Sequence, residues 1–567
     1  MSCRFSIKSY HGAMTLFRDG IALQPLFFWQ SEVLPEEATA FSQSGIEVFS
    51  FLRSAHHYDY PFWIGEKKYD FSKLDSVMHE FIRNAPGKYA IPRIYTGAPD
   101  WWLSKHPDEM CGFPSNPPRT GYKAVHQGTR HESFASELWK CEMGEAFRQY
   151  MRHIRNSDYA EWIAGIHVCG GITGEWHAWS PSHHPDTSLP MQKRYGKEIP
   201  AYGKRPADYY ECFFAAEVEA VEHFCKIVKE ETDFLTVVFQ GYTPDFEWAM
   251  EGDHRGAAAI HRSPWIDMIS APHSYSRREL GGDALFRNFP ASVNLHGKLF
   301  VDEGDDRTSC AGSISHGMTE TAGVQKTLAT EDESLQLIRR EFGNMHTHNI
   351  GMWYMDLLGG TFRNKRFVAE IAKLKKYGDQ LMELSRESAA EVAVVSYLQG
   401  EFSLPPRGEE NLQYRLYQDA ISELCKTGVP FDHYLIEDLN APELARYKFF
   451  IYLDGLPLPE RYEKTFAKLA AAGKTVLRFD AQNILPAKEL REQFRANGIS
   501  VYLETDDVFS CSQACLMIHA TKSGVKQIAL PKKKNVFDII TEKTIAENTD
   551  HFSIEMKFGE TALFLLR

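Results

Sequence analysis

Ile163-Ala164-Gly165-Ile166-His167-Val168-Cys169-Gly170-Gly171-Ile172-Thr173-Gly174-Glu175-Trp176-His177-Ala178-Trp179 is an apolar run that breaks into glycines and then delivers an acid into an aromatic-rich segment. A short apolar run bounded in this way reads as a strand buried on both faces of a parallel sheet. Seven further runs have the same form, at residues 21–29, 45–52, 89–96, 234–240, 266–271, 298–302 and 351–356. Helical patterns lie between them. Residues 207–231 repeat apolar positions at spacings of three and four, and Thr330 with Glu333 forms a capping box ahead of Leu335 and Ile338. Eight strands alternating with helices predict an α/β fold, a closed (β/α)8 barrel, with an open doubly wound sheet as the alternative.

The barrel is expected to occupy residues 1–385. The run Val392-Ala393-Val394-Val395-Ser396-Tyr397 opens a second region. It continues with an amphipathic helix over 411–426, strands near 431–435 and 449–453, a helix over 460–472 and a strand at 475–479. This pattern predicts a smaller doubly wound, flavodoxin-like α/β domain over 386–508. It has no GxGxxG turn and no P-loop, so no nucleotide is assigned to it. Residues 509–567 read as a small antiparallel β domain, with the basic stretch Pro531-Lys532-Lys533-Lys534 as an exposed turn between strands.

A formal net charge of −13 argues against a nucleic-acid partner, which needs a clustered Lys/Arg footprint. No segment reaches eighteen apolar residues, and the N-terminus lacks the apolar core of a signal peptide, so no membrane partner is expected and a cytoplasmic location is. The ten cysteines carry no CxxC spacing and read as reduced, mostly buried thiols. His56-His57, His183-His184 and His346/His348 lack companions at metal-ligand spacing and read as surface residues. Neither a metal nor a cofactor is required.

In a barrel enzyme the reacting groups sit at the carboxyl ends of the strands. Two acids follow apolar runs directly there: Glu175 after the fourth, and Glu303 in Leu299-Phe300-Val301-Asp302-Glu303-Gly304-Asp305-Asp306-Arg307 after the seventh. Cleavage of a glycoside through a covalent intermediate needs two carboxyls about 5–5.5 Å apart, one protonating the leaving oxygen and one attacking the anomeric carbon. Strands four and seven can supply that pair across the barrel mouth. Glu175 is assigned as acid/base, with Trp176 and Trp179 as the apolar surroundings that raise its pKa, and Glu303 as nucleophile. Trp353 on strand eight is expected to floor the sugar site, and Trp176 to contact the sugar as well. His177 and Arg53 are candidates for hydrogen bonds to the sugar or for ordering the acids. His273 and Tyr275, which close strand six, are candidates for positioning the nucleophile.

This placement of two glutamates resembles the large clan of retaining (β/α)8 glycosidases. Arg93-Ile94-Tyr95-Thr96-Gly97-Ala98-Pro99-Asp100-Trp101-Trp102-Leu103, followed by His106-Pro107-Asp108-Glu109, resembles the third-strand region of family 42 β-galactosidases. Residues 432–445, 447–453 and 471–477 are similar to the α/β domain through which that family trimerises. The resemblance implies an exo-acting β-glycosidase that hydrolyses terminal β-linked hexosides and assembles as a homotrimer. One departure bears on the sugar. The clan usually carries Asn before the acid/base, where it contacts the sugar 2-hydroxyl, and here that residue is Gly174. A related architecture occurs in family 164 β-mannosidases, and an altered 2-hydroxyl contact suits mannose, so β-mannoside and β-galactoside both stand. The alternatives are an inactive carbohydrate-binding scaffold, or a transglycosylase or phosphorylase on the same fold.

Overall fold

The apolar runs close on themselves. In the computed structural model, which describes residues 4–55, 61–111, 131–171, 173–178, 185–200, 206–242, 254–311, 328–357, 359–403, 412–453, 457–479 and 484–567, eight parallel strands form a closed barrel. They are β1 (Leu26–Gln30), β2 (Val48–Ala55), β3 (Tyr89–Tyr95), β4 (Gly165–Cys169), β5 (Leu235–Phe239), β6 (Met268–Pro272), β7 (Leu299–Gly304) and β8 (Gly351–Asp356). β8 pairs with β1, so no open edge remains and the doubly wound alternative falls. Alternate residues enter the lumen, where Phe27, Trp29, Val48, Val237, Val301 and Trp353 form one buried cluster.

The run at 21–29 is two strands rather than one. Ile21–Leu23 ends an antiparallel meander with Phe5–Tyr10 and Ala13–Arg18, and Leu26–Gln30 enters the barrel. Between them Pro25 has no N–H to give a ladder, and its carbonyl accepts from Met352 of β8. Phe5 and Leu16 of the meander join the lumen cluster, so the meander packs onto the barrel interior.

Long helices cover the barrel, among them α1 (Glu137–Asn156), α2 (Ala207–Glu231) and α3 (Glu331–Thr347). The bounds of α2 are those its periodicity predicts. The Thr330/Glu333 box at the start of α3 is present in both of its hydrogen bonds.

A second parallel sheet contains β9 (Val392–Ser396), β10 (Phe431–Leu435), β11 (Phe449–Tyr452) and β12 (Thr475–Arg478) in the order β10-β9-β11-β12. That order belongs to the flavodoxin-like arrangement. The last sheet is antiparallel, with β13 (Val508–Cys511), β14 (Cys515–His519), β15 (Gly524–Asp538), β16 (Lys543–Met556) and β17 (Thr561–Leu566) in the order β13-β14-β17-β15-β16. Pro531 to Lys534 is not a turn, as its composition suggested, but lies within β15, where the pairing shifts register between Ala529 and Lys534. A proline without an N–H is accommodated at such an irregularity. His346, expected at the surface, is buried, with its Nε2 2.9 Å from Gln24 Nε2. Among the described residues no helix is long and apolar enough to cross a membrane.

Candidate active site

Beyond Cys169, the last residue of β4, the chain turns sharply. Gly171, Thr173, Gly174 and Trp176 all have positive φ, at 64°, 60°, 79° and 56°, and the Trp176 amide donates to the Gly170 carbonyl at 2.8 Å. Two non-glycine residues in this region cost conformational energy, and such strain gathers at functional sites. Gly174 is sterically required as well. A Cβ there would lie 2.3 Å from the Tyr95 ring, so the asparagine of the resembling clan cannot be housed in this conformation.

The turn presents Glu175 with its carboxylate held on one oxygen. Thr173 Oγ1 donates to Oε2 at 2.9 Å and the Tyr242 hydroxyl donates to the same atom at 3.1 Å. His177, fully buried, places Nε2 3.7 Å from Oε2 and stacks on Tyr242 with ring centroids 5.5 Å apart. His254 Nε2 is 2.8 Å from the Glu175 carbonyl oxygen, so that nitrogen carries the hydrogen and fixes the backbone of the turn. Burial pushes the Glu175 carboxyl above its usual range, against the pull of the Arg93 charge and the two hydroxyl donors.

Glu303 lies on β7 in register with Pro272 on one side and Trp353 on the other. It is 2% exposed and accepts a 3.0 Å hydrogen bond from Ser270 Oγ. Burial, with the charges of Glu175 and Asp305, pushes its carboxyl up to about 8, while Arg93 and Ser270 hold it down. Each carboxyl is therefore disfavoured as an anion, and the two cannot ionise independently. Arg93 is the cation that both carboxyls feel. It is buried, sits 5.8 Å over the Trp29 ring and donates from Nε to Cys169 Sγ at 3.4 Å.

The remaining expected residues divide. Trp353 is wholly buried in the lumen beside Glu303, its ring 5.8 Å from His167. Tyr275 is half-buried, with the guanidinium groups of Arg287 and Arg278 at 3.7 and 4.2 Å from its ring. Trp176 departs from the expectation of a sugar contact. Its side chain is fully buried, donates to the Val168 carbonyl at 2.9 Å and packs on Phe134 and Phe224, the latter on α2. Its positive φ turns the ring away from the mouth and into the layer between barrel and helices.

His273 lies on the far side of β7 from the mouth. It is fully buried among carboxylates, with Nδ1 3.1 Å from Asp302, Nε2 3.4 Å from Asp306, and Glu341 of α3 at 3.6 Å. Those charges push its imidazole up to about 10 in spite of burial. Asp302 precedes Glu303 and so faces the opposite side of β7, which puts His273 behind the site and out of reach of a substrate in the mouth. Arg53 is on β2, but its side chain lies outside the described residues, as do Trp179 and the pairs His56-His57 and His183-His184.

Thr173, Tyr242, His254, Arg93 and Ser270 were not anticipated. Arg93 and Ser270 carry a signal, since each is a polar residue inside an otherwise apolar strand. Tyr242 has a weaker one, its place just past β5. His254 has none, because it reaches the site from well beyond that strand.

No model of a known protein family matches the chain, and no curated protein matches it. Solved structures do. A β-galactosidase from Rahnella sp. R3 is 11% identical, with 99% of this chain and 100% of that one covered and a TM-score of 0.65. A catalytic mutant of Gan42B, a GH42 β-galactosidase from G. stearothermophilus, is 12% identical over 99% and 100%, at 0.64. A β-galactosidase from the psychrophilic Marinomonas ef1 is 11% identical over 96% and 100%, at 0.62. At these identities the shared property is the fold, a likeness that spans nearly the whole chain.

Proposed function

We propose that the chain is a retaining, exo-acting β-glycosidase with Glu175 as acid/base and Glu303 as nucleophile. The observation that carries this reading is the pair itself. Two carboxyls come from the ends of β4 and β7, Glu303 buried and Glu175 with a side chain 22% exposed; desolvation raises each, and the Glu175 charge raises Glu303. Burial works against both anions, and the first step needs the proton on Glu175 and the charge on Glu303. Glu175 gives its proton to the glycosidic oxygen as a Glu303 oxygen bonds to the anomeric carbon, and the aglycone leaves as an alcohol. Glu175, now ionised, takes a proton from water, which attacks the anomeric carbon and frees Glu303.

The β-galactosidases of the same fold favour a terminal β-hexoside as substrate. The Tyr95 ring against Gly174 favours a site without the asparagine contact to the 2-hydroxyl, which keeps β-mannoside beside β-galactoside. Assembly as a homotrimer through the flavodoxin-like sheet rests on the family resemblance, and sedimentation at several concentrations tests it. The decisive experiment replaces each acid by alanine and supplies an activated aryl β-glycoside with azide. Glu175→Ala is expected to regain turnover with azide and release a β-glycosyl azide. Glu303→Ala is expected to yield the α-azide. Unchanged rates in both variants overturn the mechanism, and a parallel screen of aryl β-mannoside, β-galactoside and β-glucoside identifies the sugar.

A further inference from the structure

We propose that His273, Asp306 and Glu341, behind β6 and β7, form a site for one divalent cation of the Mn2+ or Zn2+ type. Each offers a ligand atom, and the three atoms lie within 4.8 Å of one another. The 3.4 Å between His273 Nε2 and Asp306 Oδ1 is the separation of two ligands on a single ion at about 2.1 Å from each. His273 Nδ1 faces Asp302 at 3.1 Å, the kind of carboxylate partner that orients a metal-bound imidazole, with Glu341 Oε2 3.6 Å from the same nitrogen.

Three independent features point to a ligand here. His273 Nε2, Asp306 Oδ2 and Glu341 Oε2 are buried atoms with no hydrogen-bond partner. Asp306, Glu341 and Tyr354, though not His273, line a cavity of about 10 Å³ whose other walls include Leu337, Ile338 and Phe362, and the Tyr354 hydroxyl is also buried without a partner. That volume admits about one water-sized occupant. Lastly, among the described residues, the carboxylates of Asp302, Asp305, Asp306 and Glu341 gather around His273 and the guanidinium groups of Arg278 and Arg340. Arg278 pairs with Asp305, and Arg340 pairs with Glu341 at 2.8 Å and with Asp306 at 3.8 Å. Without an ion the carboxylates hold a second proton on His273, and a divalent cation would take that proton's place. A nitrogen and carboxylate donor set suits Mn2+ or Zn2+ better than Ca2+. The ion would tie the end of β6, the segment after Glu303 and α3 together, and so brace the strand that carries Glu303. Protons on the same residues are the competing occupants.

The test uses the full chain dialysed against EDTA and then titrated separately with MnCl2 and ZnCl2 by calorimetry, with melting curves alongside. One ion per chain and a raised melting temperature are expected with at least one metal. Asp306→Asn and Glu341→Gln, each checked for fold by circular dichroism, are expected to weaken binding by about 10–100-fold. Glu341 also pairs with Arg340, so Asp306→Asn serves if Glu341→Gln does not fold. No binding by the parent chain up to about 1 mM of either metal overturns the proposal. Parent-like binding by the folded variants overturns it too.

Discussion

Tyr95 occupies the space that a side chain on Gly174 would need. A Cβ on Gly174 falls 2.3 Å from one ring carbon and 2.9 Å from the hydroxyl oxygen, and the Tyr95 hydroxyl donates to the Thr173 carbonyl at 3.2 Å. The third strand thus clamps the turn that carries the candidate acid. Gly174→Asn is expected to lower kcat/KM by roughly 100-fold or more, because a displaced turn misplaces the proton donor. Gly174→Ala should do nearly as much, since the obstacle is the Cβ and the φ of 79°. Paired with Tyr95→Ala, the asparagine variant should recover part of the loss. Steady-state kinetics on an aryl glycoside decide it, and a Gly174→Asn enzyme with parent-like activity would show that the turn is not held as described.

Arg93, Glu175 and Glu303 set a pH profile with a definite direction. Attack by Glu303 needs its anion, and its carboxyl is raised to about 8, partly by the Glu175 charge. On an activated aryl glycoside, whose departure needs no acid, kcat/KM is expected to climb through the neutral range toward pH 8. Replacing Glu175 by glutamine removes that charge and lowers the Glu303 pKa, so the acidic limb moves to lower pH. A limb that stays in place in Glu175→Gln would mean that the two carboxyls do not interact.

How much of this was legible beforehand follows from what each feature depends on. The barrel strands were readable because burial on both faces leaves nearly uninterrupted apolar runs, and Glu175 and Glu303 were readable because they interrupt or end two of them. The break at Pro25 was missed because Ile21 and Leu26 are equally apolar, and only pairing partners separate the meander from the barrel. Trp176 was misplaced for a related reason. Its neighbours in the chain are site residues, but a positive φ turns its ring the other way, and φ is not written in composition. His273 was found at a strand end, yet the side of the strand it faces depends on parity against Asp302. His254 reaches Glu175 from 79 positions away, and contacts of that range leave no local trace.

Glu303 should cost stability at alkaline pH. A carboxyl whose folded pKa lies above its unfolded value stabilises the fold below the unfolded value, and that contribution is lost as pH rises through the folded one. For Glu303 the window runs from 4.5 to about 8. Above it the folded chain carries a buried anion, at a cost of about 3–5 kcal/mol. Glu303→Gln is therefore expected to melt about 2–5 °C higher than the parent at pH 9 and at nearly the same temperature at pH 4. Scanning calorimetry at both values tests this. An alkaline difference of zero, or one of opposite sign, would place the carboxyl in a more polar setting than its burial implies.

Tyr242 is the remaining lever on the candidate acid. Its hydroxyl donates to Glu175 Oε2 at 3.1 Å, and that bond favours the ionised carboxyl and so lowers the Glu175 pKa. Phenylalanine at this position keeps the ring that stacks on His177 and removes only the donor. The Glu175 pKa should then rise further, and the basic limb of kcat/KM, which reports loss of the acid's proton, should move to higher pH on a substrate with a poor leaving group. The second step loses as well, because the ionised Glu175 that accepts a proton from water has one hydrogen bond fewer to hold it in place. A fall in kcat of roughly 3–10-fold is expected. Packing alone would lower the rate without moving the limb, so the displacement toward higher pH in Tyr242→Phe is the result that assigns the hydroxyl to the control of Glu175.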